Sequence, residues 1–182
     1  MRERSAVAPA TAAEVARALG LAPHPEGGYF RETYRSPLTV DTDRGRRALS
    51  TAITFLVTGD SPSRFHRLAS DELWVYQAGD PLELLTLSPE EALQRALLGD
   101  PLTRGVASGG SATVATACVP AGSWQAARVA MGLAREKDRG SSWTLVNCVV
   151  SPGFECGDFE LAGRAALVAA YPGREKLIIA LT

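Results

Sequence analysis

Histidine is scarce in this chain: two occur in 182 residues, His24 and His66, beside three cysteines and two methionines. A multi-histidine metal centre therefore has little to draw on. The cysteines, Cys118, Cys148 and Cys156, form neither an even set nor a CxxC pair. That pattern predicts reduced thiols in a cytoplasmic protein, each filling core space, rather than a disulfide framework. Charge of one sign is also lacking, since 19 basic and 20 acidic residues leave a net charge of −1 with the basic residues scattered. No electrostatic footprint for nucleic acid or an anionic membrane follows from such a distribution. The N-terminus has no hydrophobic signal core, and no later segment approaches the roughly twenty apolar residues a membrane span needs. The pair Gly109-Gly110 is not a phosphate loop, because no GK[ST] follows it.

What is present is an ordinary globular composition, 46% hydrophobic and 21% charged, at a length suited to one domain with a full core. Thr11 with Glu14 three residues on forms a capping box and Gly20 a stop, predicting a helix over residues 12–19 that packs Val15, Ala16 and Leu19. The run Pro23-His24-Pro25-Glu26-Gly27-Gly28 predicts a shaped loop, with His24 and Glu26 held in a hydrogen-bonded turn. In the strand expected from Tyr29 to Tyr34, Tyr29, Arg31 and Thr33 share one face and Phe30, Glu32 and Tyr34 the other. Residues 36–47 are polar and predict an exposed loop; residues 48–57 predict a buried β-branched strand.

The rest of the chain is organised around residues 63–84, SRFHRLASDELWVYQAGDPLEL. Strand, short connection, strand and tight turn are the expected elements. Alternation places Arg64, His66 and Leu68 on one face of the first strand, and Glu72, Trp74 and Tyr76 on one face of the second. If both faces line one cavity, an imidazole and a carboxylate meet there between aromatic walls. Beyond it, SPEEALQRALLG at residues 88–99 carries a serine cap, a first-turn proline and Glu91 at N3, a strong helix signature. A strand pairing back on residues 82–87 competes with it and is preferred, because an unpaired barrel edge is otherwise left open. Residues 105–111 and 131–141 predict loops; residues 112–119, 124–129 and 143–150 predict strands. Residues 160–171 and 174–181 are alanine- and leucine-rich and predict two short helices, with Asp158 a helix-start cap and Glu160 a surface charge.

His66, Leu68, Glu72 and Gly79 are spaced as in the first motif of the cupins, with Leu68 in place of a second histidine. Pro120 and Gly122 echo the second motif, with Gln125 where a ligand histidine would stand. Together with HPEGGYFRETYRS (residues 24–36) and LVNCVVSPGFECGDFEL (residues 145–161), these blocks resemble one cupin family known as a domain of unknown function. The resemblance implies an all-β fold, the cupin double-stranded β-helix or jelly-roll barrel, with a short N-terminal helix and C-terminal helices. It divides the chain into a tail and helix at 1–20, a barrel at 21–159 and a helical segment packed on the barrel at 160–182. It also implies a homodimer.

Cupin epimerases of nucleotide sugars, such as dTDP-4-dehydrorhamnose 3,5-epimerase, use an inward histidine base and a tyrosine without a metal, which this arrangement resembles. The expected chemistry is therefore proton transfer on a small organic molecule, of isomerase, epimerase or cyclase type. Imidazole suits it, with an unperturbed pKa of about 6.5. His66, Tyr76 and Glu72 are the candidate catalytic residues. Arg64, Trp74, Trp124, Gln125, Tyr29 and Arg31 are candidates for binding the substrate. No metal is favoured, because His66 and Glu72 are joined at the remaining position only by the neutral amide of Gln125. The alternatives are a metal-dependent oxygenase with Fe, Mn, Ni or Zn at those three residues, and a non-catalytic small-molecule-binding barrel.

Overall fold

The computed structural model describes residues 11–88, 93–102, 113–130 and 141–182. Its first element is the helix α1 (Ala12–Leu19), opened by the capping box of Thr11 and Glu14 and closed by Gly20 in the left-handed region, as the sequence predicts. Thirteen strands follow among the described residues. They are β1 (Ala22–Pro23), β2 (Tyr29–Arg35), β3 (Thr39–Thr42), β4 (Gly45–Ala48), β5 (Thr51–Thr58), β6 (Ser63–Leu68) and β7 (Asp71–Gly79). Then come β8 (Leu82–Leu87), β9 (Leu93–Leu98), β10 (Thr116–Val119), β11 (Trp124–Val129), β12 (Trp143–Ser151) and β13 (Phe159–Leu161). Two helices, α2 (Arg164–Ala170) and α3 (Glu175–Ala180), end the chain.

One sheet has the order β1-β2-β5-β12-β7-β10 and the other β13-β6-β11-β8-β9, with β3 and β4 forming a separate hairpin. Strict alternation along β12 buries Thr144, Val146, Cys148 and Val150 on the inward face. The β8 strand departs from alternation and is buried on both faces, for a reason visible in its packing. Leu82 and Leu84 enter the core between the sheets with Phe55, Trp74 and Val146. Leu85 and Leu87 face the other way and meet Leu167, Tyr171 and Ile178 of the C-terminal helical segment. The helices thus cover the outer face of the second sheet.

Several local expectations change. The helix signature at residues 88–99 loses to pairing: β9 runs antiparallel to β8 with Leu82 opposite Leu98 and Leu87 opposite Leu93. Leu98 is fully buried and bridges Val114, which joins the two sheets on that side. Residues 89–92, the loop expected at 105–111 and residues 131–140 of the loop expected at 131–141 lie outside the described residues. The stretch 36–47 contains the β3–β4 hairpin rather than a loop. The first C-terminal helix starts at Arg164, not at residue 160, because residues 159–161 pair with β6 as β13. Cys148 fills the core as expected, whereas Cys118 and Cys156 are exposed.

Candidate functional site

The loop between β1 and β2 is fixed before any functional side chain is considered. Within it the His24 amide donates to the Gly28 carbonyl and the Gly27 amide to the His24 carbonyl, each at 3.0 Å, and the Gly28 amide donates to Ser61 Oγ at 2.9 Å. Gly27 takes φ +117, and a Cβ there would fall 2.1 Å from the Pro62 carbonyl oxygen. Only glycine fits so close an approach. The Arg64 amide donates to the Glu26 carbonyl, and its guanidinium donates to the Glu26 and Pro25 carbonyls at 3.2 and 2.6 Å. The loop is thereby laid across the start of β6 with the Glu26 side chain directed inward, 5% exposed.

Arg64 does not face the interior, contrary to simple alternation. Gln125 on β11 lies opposite His66 and Ala127 opposite Ser63, so β6 carries an extra residue there. This β-bulge puts Ser63 and His66 on the same inward face and turns Arg64 to the outside.

His66 is 2% exposed. Its Nδ1 lies 2.8 Å from the Arg64 carbonyl oxygen, a contact that needs the proton on Nδ1 and leaves the lone pair on Nε2. Nε2 lies 3.3 Å from Glu26 Oε2, whose other oxygen accepts from Ser63 Oγ at 2.7 Å. Burial lowers the His66 pKa and raises that of Glu26 to about 8. Both shifts favour the uncharged form of each group near neutrality. His24 Nδ1 lies 3.5 Å from the same Glu26 oxygen and accepts the Glu26 amide. Burial holds its pKa down to about 4, so it too is neutral. Its ring sits edge-on to Phe30 and Phe55, while that of His66 stacks on Phe159 with centroids 5.5 Å apart.

On the facing sheet the Glu72 pKa is pushed up to about 7, chiefly by burial. Gln125 Nε2 donates to Glu72 at 2.5 Å, and Gln125 Oε1 accepts the Trp74 indole N–H at 3.0 Å. The amide is therefore turned with its nitrogen toward the carboxyl and its oxygen toward the indole. The Gln125 oxygen is thus engaged by the indole rather than turned toward His66 and Glu72. Among the described residues no three His, Cys, Asp or Glu side chains form a group able to hold a metal ion.

Of the residues singled out from sequence, His66, Glu72, Trp74 and Gln125 are brought together. Tyr76 is not: it lies four residues beyond Glu72 on β7, about 13 Å along an extended strand, and its hydroxyl donates to the Gly79 carbonyl at 2.6 Å. Trp124 flanks the inward Gln125 and so faces outward, under the Arg67 guanidinium 4.7 Å from its ring and beside the helical segment. Tyr29 and Arg31 flank Phe30, which packs on the inner core, and are likewise directed away from it. Glu26 is the group that sequence reasoning left out of the site. The available signal was an acid and a histidine in a loop fixed by two prolines and two glycines.

Asp158, expected as a helix cap, is instead buried between guanidiniums. Arg47 donates to its two oxygens at 2.7 and 3.0 Å, and Arg44 Nη1 lies 2.8 Å from Oδ2. Glu160 pairs with Arg67 at 2.7 Å.

This two-sheet barrel with an inward His66 and Glu72 can be set beside known proteins. A family profile described as Cupin superfamily (DUF985) matches residues 13–162. The chain belongs to this cupin family. The cupin is similar to a hypothetical protein from Leishmania major, at 37% identity and TM-score 0.81, over 95% of this chain and 99% of that one. It is also similar to a protein of Shewanella oneidensis, at 33% identity and TM-score 0.80, over 96% and 98% of the two chains. Oxalate decarboxylase from Bacillus subtilis shares the fold at 12% identity and TM-score 0.50, over 88% of this cupin and 36% of that chain. No curated protein matches the sequence.

Proposed function

We propose that this cupin catalyses proton transfer on a small organic molecule, as an isomerase, epimerase or cyclase, with His66 as base. The observation that carries the reading is the 3.3 Å contact between Glu26 Oε2 and His66 Nε2 inside the barrel. A base must hold a lone pair at the reacting position, and the Nδ1 bond to the Arg64 carbonyl keeps that lone pair on Nε2. In the step proposed, the C–H bond next to a substrate carbonyl breaks and its proton passes to Nε2. The electron pair moves into the carbonyl, whose oxygen takes a proton from Glu72. Glu72 titrates near neutrality and can supply it. Glu26 positions the imidazole and exchanges its proton.

The reading is metal-independent, supported by the orientation of the Gln125 amide, which a metal ligand would have to reverse at the expense of the bonds to Glu72 and Trp74. We further propose a cytoplasmic homodimer, on the strength of three free cysteines and the family likeness. No helix among the described residues is long and apolar enough to cross a membrane.

The test is deuterium incorporation from D2O at carbon beside a carbonyl, followed by NMR across a panel of keto-sugars and keto-acids, with elemental analysis of the same protein. Exchange by the wild type that is lost in a folded His66→Ala variant and kept in Tyr76→Phe is the expected result. One equivalent of metal per chain that disappears in His66→Ala would overturn the metal-independent reading. Tight ligand retention without exchange in any variant would overturn catalysis in favour of a binding barrel.

A further inference from the structure

A cleft of about 530 Å³ opens on the outer side of Phe159, lined by Arg44, Arg47, Arg67, Leu68, Gly122 and Asp158 among others. Its volume is within the range of sites for small organic ligands. Two guanidiniums converge on the one carboxylate of Asp158, and Arg47 takes both of its oxygens in hydrogen-bond geometry. Arg44 Nη1 is close to Oδ2 without alignment, so this buried nitrogen makes no hydrogen bond, while Nη2 is turned to Ser70 Oγ at 3.2 Å. Other acids stand around this cluster, with Glu32 and Glu155 sharing Arg35. Asp43 is 3.7 Å from Arg44 with a side chain 92% exposed, Glu160 is occupied by Arg67, and Glu155 is bound by Arg35. An oxyanion in the cleft would give the misaligned N–H of Arg44 a charge-assisted bond in addition to its ion pair with Asp158. Space is available, because a Cβ on Gly122 or Gly157 would meet no atom within 4 Å.

We propose that this cleft binds the oxyanion group, carboxylate or phosphate, of a small-molecule ligand, with Arg44 as its principal partner and Arg67 at the rim. Phe159 is the wall between the cleft and the interior, since it lines the one and stacks on His66 in the other. A ligand anchored here by its anionic end is therefore separated from the imidazole by that one ring. The assignment of an anionic substrate class rests on the proton-transfer reading above; the anion site itself does not.

The probes are inorganic phosphate and succinate, titrated into the full chain at low ionic strength and followed by calorimetry and by amide NMR of Gly122 and Gly157. Saturable binding that weakens at least tenfold in Arg44→Gln, weakens less in Arg67→Gln and falls with added salt is the expected result, with the stronger of the two probes identifying the oxyanion. Asp158→Asn frees both guanidiniums and is expected to bind more tightly. Equal weakening in Asp158→Asn and Arg44→Gln, with both folded, would overturn the proposal in favour of a closed ion-pair cluster. No saturation by either probe at millimolar concentration would overturn it as well, and if Asp158→Asn fails to fold the two arginine variants decide. Anion binding that survives while wild type shows no deuterium exchange would retain the cleft and reject the catalytic reading.

Discussion

Glu26 Oε2 meets His66 Nε2 at 3.3 Å, one group from a glycine-rich loop and the other from a bulged strand. Each is buried, each has its pKa moved toward the neutral form, and the contact makes one protonic unit of two distant segments. The predictions below follow from that unit and from the elements that hold it in place.

Stability should fall as pH rises from about 6.5 to about 8. Glu26 and Glu72 titrate near 8 and 7 in the folded protein, against about 4.3 when unfolded. Across that window the unfolded state binds fewer protons than the folded one, and stability is lost at up to about 1.4 kcal/mol per pH unit for each group still protonated. His24 acts at lower pH and with opposite sign: its stabilising neutral form is present above about 6.5 and lost toward about 4. Of the other groups facing Glu26 and Glu72, His66 has its pKa lowered and Cys148 has its pKa raised by burial, so neither reverses this sign above about 6.5. Thermal melts of Glu26→Gln should show a shallower alkaline slope than wild type. An unchanged slope would remove Glu26 as its source.

Gly27→Ala should be destabilised by about 3 kcal/mol or more, since a methyl group cannot lie 2.1 Å from the Pro62 carbonyl oxygen. Arg64→Met, which keeps the aliphatic stem and removes the bonds to the Pro25 and Glu26 carbonyls, should cost about 1–3 kcal/mol. Amide exchange at Gly27 and Gly28 should accelerate in the second variant more than in the core strands. Uniform acceleration would place the effect elsewhere.

Gln125→Leu leaves the Trp74 indole N–H and the Glu72 carboxyl without their amide partner in the barrel interior. A loss of about 1–3 kcal/mol is expected for each orphaned group. Adding Trp74→Phe should recover part of it, giving a non-additive cycle in urea denaturation. Strict additivity would mean that the two side chains are not coupled.

Ile178→Ala should cost about 2–5 kcal/mol, because Ile178 of α3 is fully buried against Phe65, Leu85 and Leu87. Chemical denaturation with an unchanged slope is the check, and a loss below about 1 kcal/mol would show that the helices are not part of the cooperative core.

Some of this was written in local sequence. The capping box at Thr11 and Glu14, the strand Leu82–Leu87 and the inward alternation of Glu72 and Trp74 are set by neighbouring residues, and they were legible without a structure. The residues carrying the family likeness sufficed for the barrel and for His66, Glu72 and Gln125 as its polar centre. What tertiary structure decided are the matters that depend on a partner strand. Pairing with β8 overrode the helix signature around Leu93–Leu98, since an open edge costs more than the local preference offers. The β6 bulge reversed Arg64 and kept His66 inward, and no sequence period records an extra residue opposite Ala126. Sequence alone fixed which acid and base residues this protein possesses; the fold chose Glu26 over Tyr76 for His66, because contact depends on where a loop crosses a strand in space.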